Sequence, residues 1–490
     1  MSSKKRVVKN AFLYTFSNFL IRAFNFFLLP LYTSFLTTAD YGTTNLIKNF
    51  ISVMSIVCVF SSYAAVARFY ADYKEDKEKT KKLFGTLLTF TMISGAFFAI
   101  LLCIFKTVVV KYFFKGIPFF PTIFISVIGI TFGCLYNMYQ YILKGTEDAK
   151  KSTVTSICYF FIMLGLNIIF VVFMKLGANG VVLATLLTNL ICSIYMLYSL
   201  IKNKFVKLGI DFKILKEILK YSIPLIPHDL ATTISSLFSS IFINDSYNLS
   251  SLGLYSLACQ FGDITDTVQS SVNTAFQPWF YSKMNAKDND NNKEISELTY
   301  GLVWIYGAFF IGIAFFSQDV IMLFLNNSYT LAWKIVPLIV VSYSIKTMYY
   351  FYVNIMFYYR EASKYIFIAT LTSSILNVIL SAILIPPFSY YGSIMADIIT
   401  MILRVVIVII ISKRFNEIGY KISRFIRIIF IEILFIFVGL IFSYTIYDEI
   451  FSFKNFIYKC LIYLIFLFFI LFSQRNLINN LFKNMKRGER

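Results

Sequence analysis

Fourteen mainly apolar stretches follow one another along this chain. They lie at 10–36, 44–69, 83–107, 118–143, 153–174, 179–201, 221–243, 251–276, 299–325, 333–358, 364–386, 390–412, 424–446 and 455–473. A helix needs about 20 such residues to cross the hydrocarbon of a bilayer. The sequence therefore predicts an all-α polytopic membrane protein of about 14 transmembrane helices. Composition agrees: the chain is 58% hydrophobic and 14% charged, with a mean hydropathy of +0.72. A soluble chain is about 45–50% apolar and about 25% charged, and no core in water absorbs the excess. The 55 Phe and 34 Tyr suit lipid-facing and interfacial positions. Seven cysteines (Cys58, Cys103, Cys134, Cys158, Cys192, Cys259 and Cys460) fall inside apolar runs without CxxC spacing. That pattern reads as buried small hydrophobes, not metal ligands or disulfides. The start, "MSSKKRVVKNAFLYTF", is basic. The apolar run after it is too long for a signal-peptide core and lacks a small-x-small cleavage site, so an uncleaved first span is expected.

Net charge is +20. In a soluble protein that would suggest nucleic acid, but here the charges sit in short loops between apolar runs, where they set membrane orientation. With the N-terminus inside and the spans alternating, the outside holds seven of the 45 Lys and Arg: Lys106, Lys111, Lys115, Lys175, Lys334, Lys454 and Lys459. Four more, Arg22, Lys48, Lys346 and Arg404, lie well within spans, which leaves 34 inside. This bias predicts fourteen spans with both termini cytoplasmic in a cell (inner, cytoplasmic) membrane. One miscounted span would move many later basic loops to the wrong side.

The chain also repeats. "EDAKKSTVTS…LGLNIIF…ANGVVLA" is echoed by "REASKYIFIA…SILNVIL…YYGSIMA". Asn167 to Asn377 is 210 residues, Ala149 to Ala362 is 213, and Gly180 to Gly392 and Ala184 to Ala396 are both 212. "TADYGTTNL" (38–46) and "SLGLYSLAC" (251–259) fit more loosely. A period near 212 covers six spans, an even number, so the copies share one orientation about an axis along the membrane normal. The expected organisation is an N-terminal six-helix lobe at 1–210, a second at 211–412, and two further helices with a basic tail at 413–490. Paired six-span bundles are transporter architecture, with the substrate path between the lobes.

Polar residues inside the spans mark candidate sites. Span one carries Asn18, Arg22 and Asn25 on one helical face. An arginine at mid-membrane depth costs roughly 2.5–3.5 kcal/mol on insertion scales. Span two carries Lys48, Ser52, Ser55 and Ser62, and span seven His228, Thr232, Ser235 and Ser239. Span eight carries Gln260, Asp263, Asp266, Thr267 and Ser270; span ten adds Lys346; span twelve adds Asp397, Thr400 and Arg404. Hydroxyls in membrane helices often bond only their own backbone, whereas buried charges are functional candidates by default. Arg22, Lys48, Lys346 and Arg404, with Asn18 and Asn25, are the expected lining of a cationic cavity. Asp263, Asp266 and Asp397 are counter-ions or cation ligands, Asp397 being two turns from Arg404. His228, the one histidine, is suited to carry a proton near neutral pH. Pro30, Pro224 and Pro227 mark bends, static or mobile.

No Gly-rich phosphate loop, HExxH or Ser/His/Asp set is present, so no enzyme, metal or cofactor is expected. The loops "ADYKEDKEKTKK" (71–82) and "SKMNAKDNDNNKEISE" (282–297) read as solvated charge runs.

The 6+6+2 arrangement, basic N-terminus and mid-helix Arg22 resemble the bacterial polysaccharide flippases of the multidrug/oligosaccharidyl-lipid/polysaccharide (MOP) superfamily. Local matches are "LLPLYTSFLTTADYGTTNL" (28–46), "YSIPLIPHDLATTISSLFSSIFI" (221–243) and "LGLYSLACQFGDI" (252–264). Members of that family often carry an Asp-Arg pair late in span seven; here the region reads "SSIFIND", so no role for such a pair carries over. The resemblance implies a lipid-linked oligosaccharide substrate: an undecaprenyl-pyrophosphate-linked sugar repeat unit, moved from the cytoplasmic to the outer leaflet. It implies membrane lipids, glycosyltransferases and a polymerase of the same pathway as partners. Physically, pyrophosphate attracts Arg and Lys, and hydroxyl stripes suit sugars. A peptidoglycan or teichoic-acid precursor, and a cation-coupled multidrug antiporter, are the other readings.

Overall fold

The computed structural model describes residues 26, 28–286, 291–416 and 418–475. Among them every regular element is helical, and the chain divides into two compact units, 1–253 and 254–490. The first holds α1 (Leu29–Phe35), α2 (Thr38–Val59), α3 (Tyr63–Tyr73), α4 (Lys77–Ile104), α5 (Lys106–Phe113), α6 (Phe124–Gly145), α7 (Ala149–Asn167), α8 (Gly177–Lys202), α9 (Phe212–Ser222) and α10 (Ile226–Ser246). Helix α11 (Leu249–Asn285) begins in the first unit and continues into the second. The second unit holds α12 (Asn291–Phe324), α13 (Val336–Tyr358), α14 (Arg360–Phe388), α15 (Tyr390–Lys413), α16 (Ile422–Thr445) and α17 (Phe453–Ser473).

Among the described residues, eleven helical segments are long and apolar enough to cross a membrane. They match eleven of the fourteen expected stretches. The expected span 10–36 lies mostly outside the described residues. The seventh and eighth stretches are α10 and α11, of 21 and 37 residues. Both are of spanning length, but neither is among the eleven.

Capping chemistry places the helix starts. The Thr37 side chain accepts from Asp40 N while Asp40 accepts from Thr37 N, a capping box that starts α2 six residues before the apolar run at 44. Lys48 therefore sits nearly three turns into its helix. Asp76, Asp148 and Asp211 cap α4, α7 and α9 by accepting from backbone N–H groups of the first turn, without the reciprocal bond. Between α2 and α3, Phe60 and Ser61 adopt left-handed φ values of 50° and 52°, which break span two. The Cys58 carbonyl beside that break accepts from Ser94 Oγ at 2.6 Å. Pro224 lies in the short 3-10 turn that joins α9 to α10, and Pro227 in the first turn of α10, where its missing N–H costs no intrahelical bond. The charge runs at 71–82 and 282–297 are largely helical: α3 and α4 occupy most of the first, and α11 and α12 extend into the second.

In the first unit α6 packs on α2, α3, α4 and α8, and α10 packs on α2. Gly42 on α2 meets the first turn of α11: a Cβ at Gly42 would meet Gly253 N at 3.0 Å and the Leu249 carbonyl closer still. The contact is reciprocal, because a Cβ at Gly253 would collide with the Thr38 carbonyl. In the second unit α15 packs on α13 and α14, and α12 packs on α13, α16 and α17. Tyr306, Phe310, Phe315, Trp333, Phe351 and Phe425 are wholly buried there. Outward faces are as apolar as the core: Phe437 is 69% exposed and Phe472 71%. A surface of this kind is stable only against lipid.

Candidate functional site

In the second unit a ladder of polar side chains joins α11 to α13. Asp266 Oδ1 accepts from Lys346 Nζ at 2.6 Å and from the Tyr350 hydroxyl at 3.1 Å. The Lys346 ammonium also stands 5.2 and 5.6 Å from the ring centres of Tyr343 and Tyr350. It is thus held by a carboxylate and two aromatic faces. Further along α11, Gln269 Nε2 donates to Thr347 Oγ1 at 2.6 Å and to the Tyr343 carbonyl at 2.8 Å. Asn354 Nδ2 then donates to Asn273 Oδ1, and Gln277 Nε2 to Asn354 Oδ1, both at 2.8 Å. These partners recur every three or four residues, the spacing of one helical face. Asp266 and Lys346 are therefore paired in this structure. Asp263, one turn earlier, is exposed.

The α14–α15 pair carries a second cluster. Asn377 Nδ2 donates to Asp397 Oδ1 at 2.8 Å and to Thr400 Oγ1 at 3.2 Å. Arg404 makes no ion pair with Asp397; its Nε donates to Ser373 Oγ at 3.0 Å. Two turns of helix separate Arg404 from Asp397, and the amide of Asn377 already donates to Asp397 Oδ1.

In the first unit Lys48 is exposed and makes no ion pair among the described residues. Ser52 and Ser55 donate to carbonyls of their own helix, both at 2.9 Å, so this part of the stripe satisfies itself. Asn49 Nδ2, by contrast, reaches Ser240 Oγ on α10 at 2.8 Å. His228 is half-buried in the first turn of α10, beside Asp229, where a carboxylate favours the helix dipole. Asn18, Arg22 and Asn25 lie outside the described residues.

One buried ionic group among the described residues went unread in the sequence. Lys459, which the loop count places outside the membrane, lies within α17 and is wholly buried. Its ammonium donates to Asp319 Oδ2, to Gln318 Oε1 at 3.2 Å and to the Phe315 carbonyl at 3.1 Å. Asn455 joins the same group, donating to Gln318 Oε1 at 3.2 Å and to Ser443 Oγ at 3.0 Å. Glu432 of α16 is also buried, with its Oε1 where a Cβ on Gly307 would stand. The available signal was a lone acid in one apolar run, Asp319 in 299–325, and a lone base near the start of another, Lys459 in 455–473.

Solved structures share this architecture. One described as lipid II flippase MurJ, inward closed conformation, has a TM-score of 0.72 at 18% identity, covering 95% of this chain and 100% of that one. The inward-facing conformation of a multidrug resistance MATE family transporter of the MOP superfamily gives 0.65 at 14% identity, covering 79% and 92%. Helices, polar ladders and lipid-facing apolar surface thus define a multi-pass membrane protein with the MOP-superfamily fold. By sequence, protein 1 of the Lsg locus of Haemophilus influenzae is 23% identical over 294 residues, 58% of this chain and 68% of that protein. The profile of the polysaccharide biosynthesis protein family matches residues 7–284, and the chain belongs to that family.

Proposed function

We propose that the protein is a flippase that moves an undecaprenyl-pyrophosphate-linked oligosaccharide, a precursor of cell-surface polysaccharide, from the cytoplasmic to the outer leaflet by alternating access. The observation that carries this reading is membership of the polysaccharide biosynthesis protein family on a fold shared with a solved lipid II flippase. Arg22, Lys48 and Arg404 are assigned to the pyrophosphate, with Asn18 and Asn25 beside Arg22. Lys346 serves the same cargo only when its pairing with Asp266 is exchanged, because a neutralised base attracts an anion weakly. Asp263, Asp397 and His228 are left for ion coupling or charge balance. With both termini in the cytoplasm, an inside-negative potential favours outward movement of an anion by about 2.3 kcal/mol per charge per 100 mV. Glycosyltransferases and a polymerase of the same pathway supply and consume the cargo.

The test is rescue of surface polysaccharide in a strain lacking its own oligosaccharide flippase. Rescue by the parent and loss with Arg22→Gln, at equal membrane abundance, supports the reading. Rescue only of a strain lacking its peptidoglycan or teichoic-acid precursor flippase would reassign the cargo. The shared fold with the multidrug transporter supports a second reading, export of cationic drugs. Gradient-driven uptake of a cationic dye into proteoliposomes would establish it.

A further inference from the structure

The segment that joins α8 to α10 is tied by hydrogen bonds to the first turns of α4. Lys82 is the last charged residue of α4; from residue 83 the helix is uncharged to its end at Ile104. The connecting chain runs alongside that uncharged part. Lys207 N donates to the Lys81 carbonyl at 3.3 Å, Asp211 N to Thr86 Oγ1 at 3.0 Å and Gly209 N to Thr89 Oγ1 at 3.2 Å. Thr89 is seven residues, about 10 Å, beyond Lys82 along the axis. At Gly85 the two backbones come so close that a Cβ would collide with the Lys207 carbonyl. The connection therefore runs level with the point where α4 passes from charged to uncharged residues, which is where a spanning helix enters the interfacial layer.

Helix α9 continues from it. Ile214 and Ile218 are buried against α3 and α4 and define its inner face. On the outer surface, at 100° per residue, Phe212, Leu215 and Leu219 fall to one side and Lys213, Lys216 and Lys220 to the other. Phe212 is 78% exposed. Phe212, Leu215, Lys216, Leu219 and Lys220 together form one open surface of the helix. An apolar flank beside a basic flank, at interfacial depth, is the pattern of a helix that lies in a lipid surface.

We propose that α9 is a docking site for anionic phospholipid: the phosphodiester sits at Lys213, Lys216 and Lys220, and the acyl chains meet Phe212, Leu215 and Leu219. The inference is independent of what the protein transports. It commits to a lipid and not a protein partner because the bonds to Thr86 and Thr89 place the surface within the bilayer's interfacial layer. Each lysine brought to an anionic surface adds about fivefold to binding.

The test uses the full chain with Phe212→Trp, reconstituted in mixed phosphatidylcholine–phosphatidylglycerol vesicles in which one lipid or the other is brominated. Emission is read against the parent protein, which carries Trp279, Trp304 and Trp333. Brominated phosphatidylglycerol is expected to quench the new tryptophan several-fold more than brominated phosphatidylcholine. Adding K213Q, K216Q and K220Q should bring the two to parity, while K213R, K216R and K220R should keep the preference. Equal quenching by the two lipids before the lysines are changed would overturn headgroup selection. No quenching by either, as when a protein covers this face, would overturn the docking site itself.

Discussion

Replacing Lys459 with Met removes the one cation from the buried group on α12, α16 and α17. The ammonium has three protons, and the structure gives each an acceptor: Asp319 Oδ2, Gln318 Oε1 and the Phe315 carbonyl. Lys459 is 0% exposed and the Asp319 side chain 7%, so water cannot take over those bonds. Removing one partner of such a pair leaves the other charge buried and unpaired, a loss of about 3–5 kcal/mol. Replacing both with apolar residues of similar size is often neutral or stabilising, by up to about 4 kcal/mol. The signs therefore differ: Lys459→Met alone and Asp319→Leu alone lower the melting temperature of the purified protein, and the double variant recovers most of the loss. A double-mutant cycle in nanodiscs, followed by tryptophan fluorescence, gives the coupling energy. Additive losses, with the double variant worse than either single one, would refute the pairing as an energetic unit.

Gly42→Ala and Gly253→Ala each add a methyl where two backbones touch, and each is expected to cost about 1–3 kcal/mol. The double variant should lose less than the sum, since one shift relieves both clashes; thermal unfolding measures this. Arg404→Gln and Lys48→Gln are each expected to slow transport about 10–100-fold at unchanged abundance, if each base makes one charge-assisted bond worth about 1.5–3 kcal/mol to phosphate. Asp76 caps α4 by accepting from Lys79 N and Glu78 N, and the Lys79 backbone bond, aided by the Lys79 side chain, holds its carboxyl below the ordinary value. A lowered pKa contributes stability that is complete above the ordinary carboxylate range and fades as pH falls through the lowered value. Hydrogen exchange at the Glu78 and Lys79 amides should accelerate relative to the intrinsic rate at that acid end, and Asp76→Asn should abolish this pH dependence.

The spans were legible because lipid imposes one rule, about 20 apolar residues per crossing. Their ends were less so. Helix α2 starts at Thr38 because Thr37 and Asp40 cap it, and both are polar residues that hydropathy reads as loop. Helix α11 runs to Asn285 because nothing in its sequence stops it where the apolar stretch ends; even Pro278 lies inside it. Among the site residues, the Asp266–Lys346 pairing was visible as one of two roles for the acid. The Asp397–Arg404 pairing was not made, because a neighbouring helix offered Asn377 and Ser373 first. Lys459 was misread because a charge near the start of an apolar run looks like its boundary, and only the packing of α17 on α12 reveals Asp319 opposite. The Ser52 and Ser55 hydroxyls were the reverse case, a polar stripe that serves its own backbone.

Outward transfer of a lipid-linked oligosaccharide is measured in proteoliposomes. The protein is reconstituted with a fluorescent undecaprenyl-pyrophosphate-linked oligosaccharide, and sugar exposure on the vesicle exterior is followed by a membrane-impermeant quencher. Transfer of the inner-leaflet pool is expected to require the protein and to fall at least tenfold with Arg22→Gln. No transfer by the parent, with a cationic dye carried by the same vesicles under an ion gradient, would contradict it.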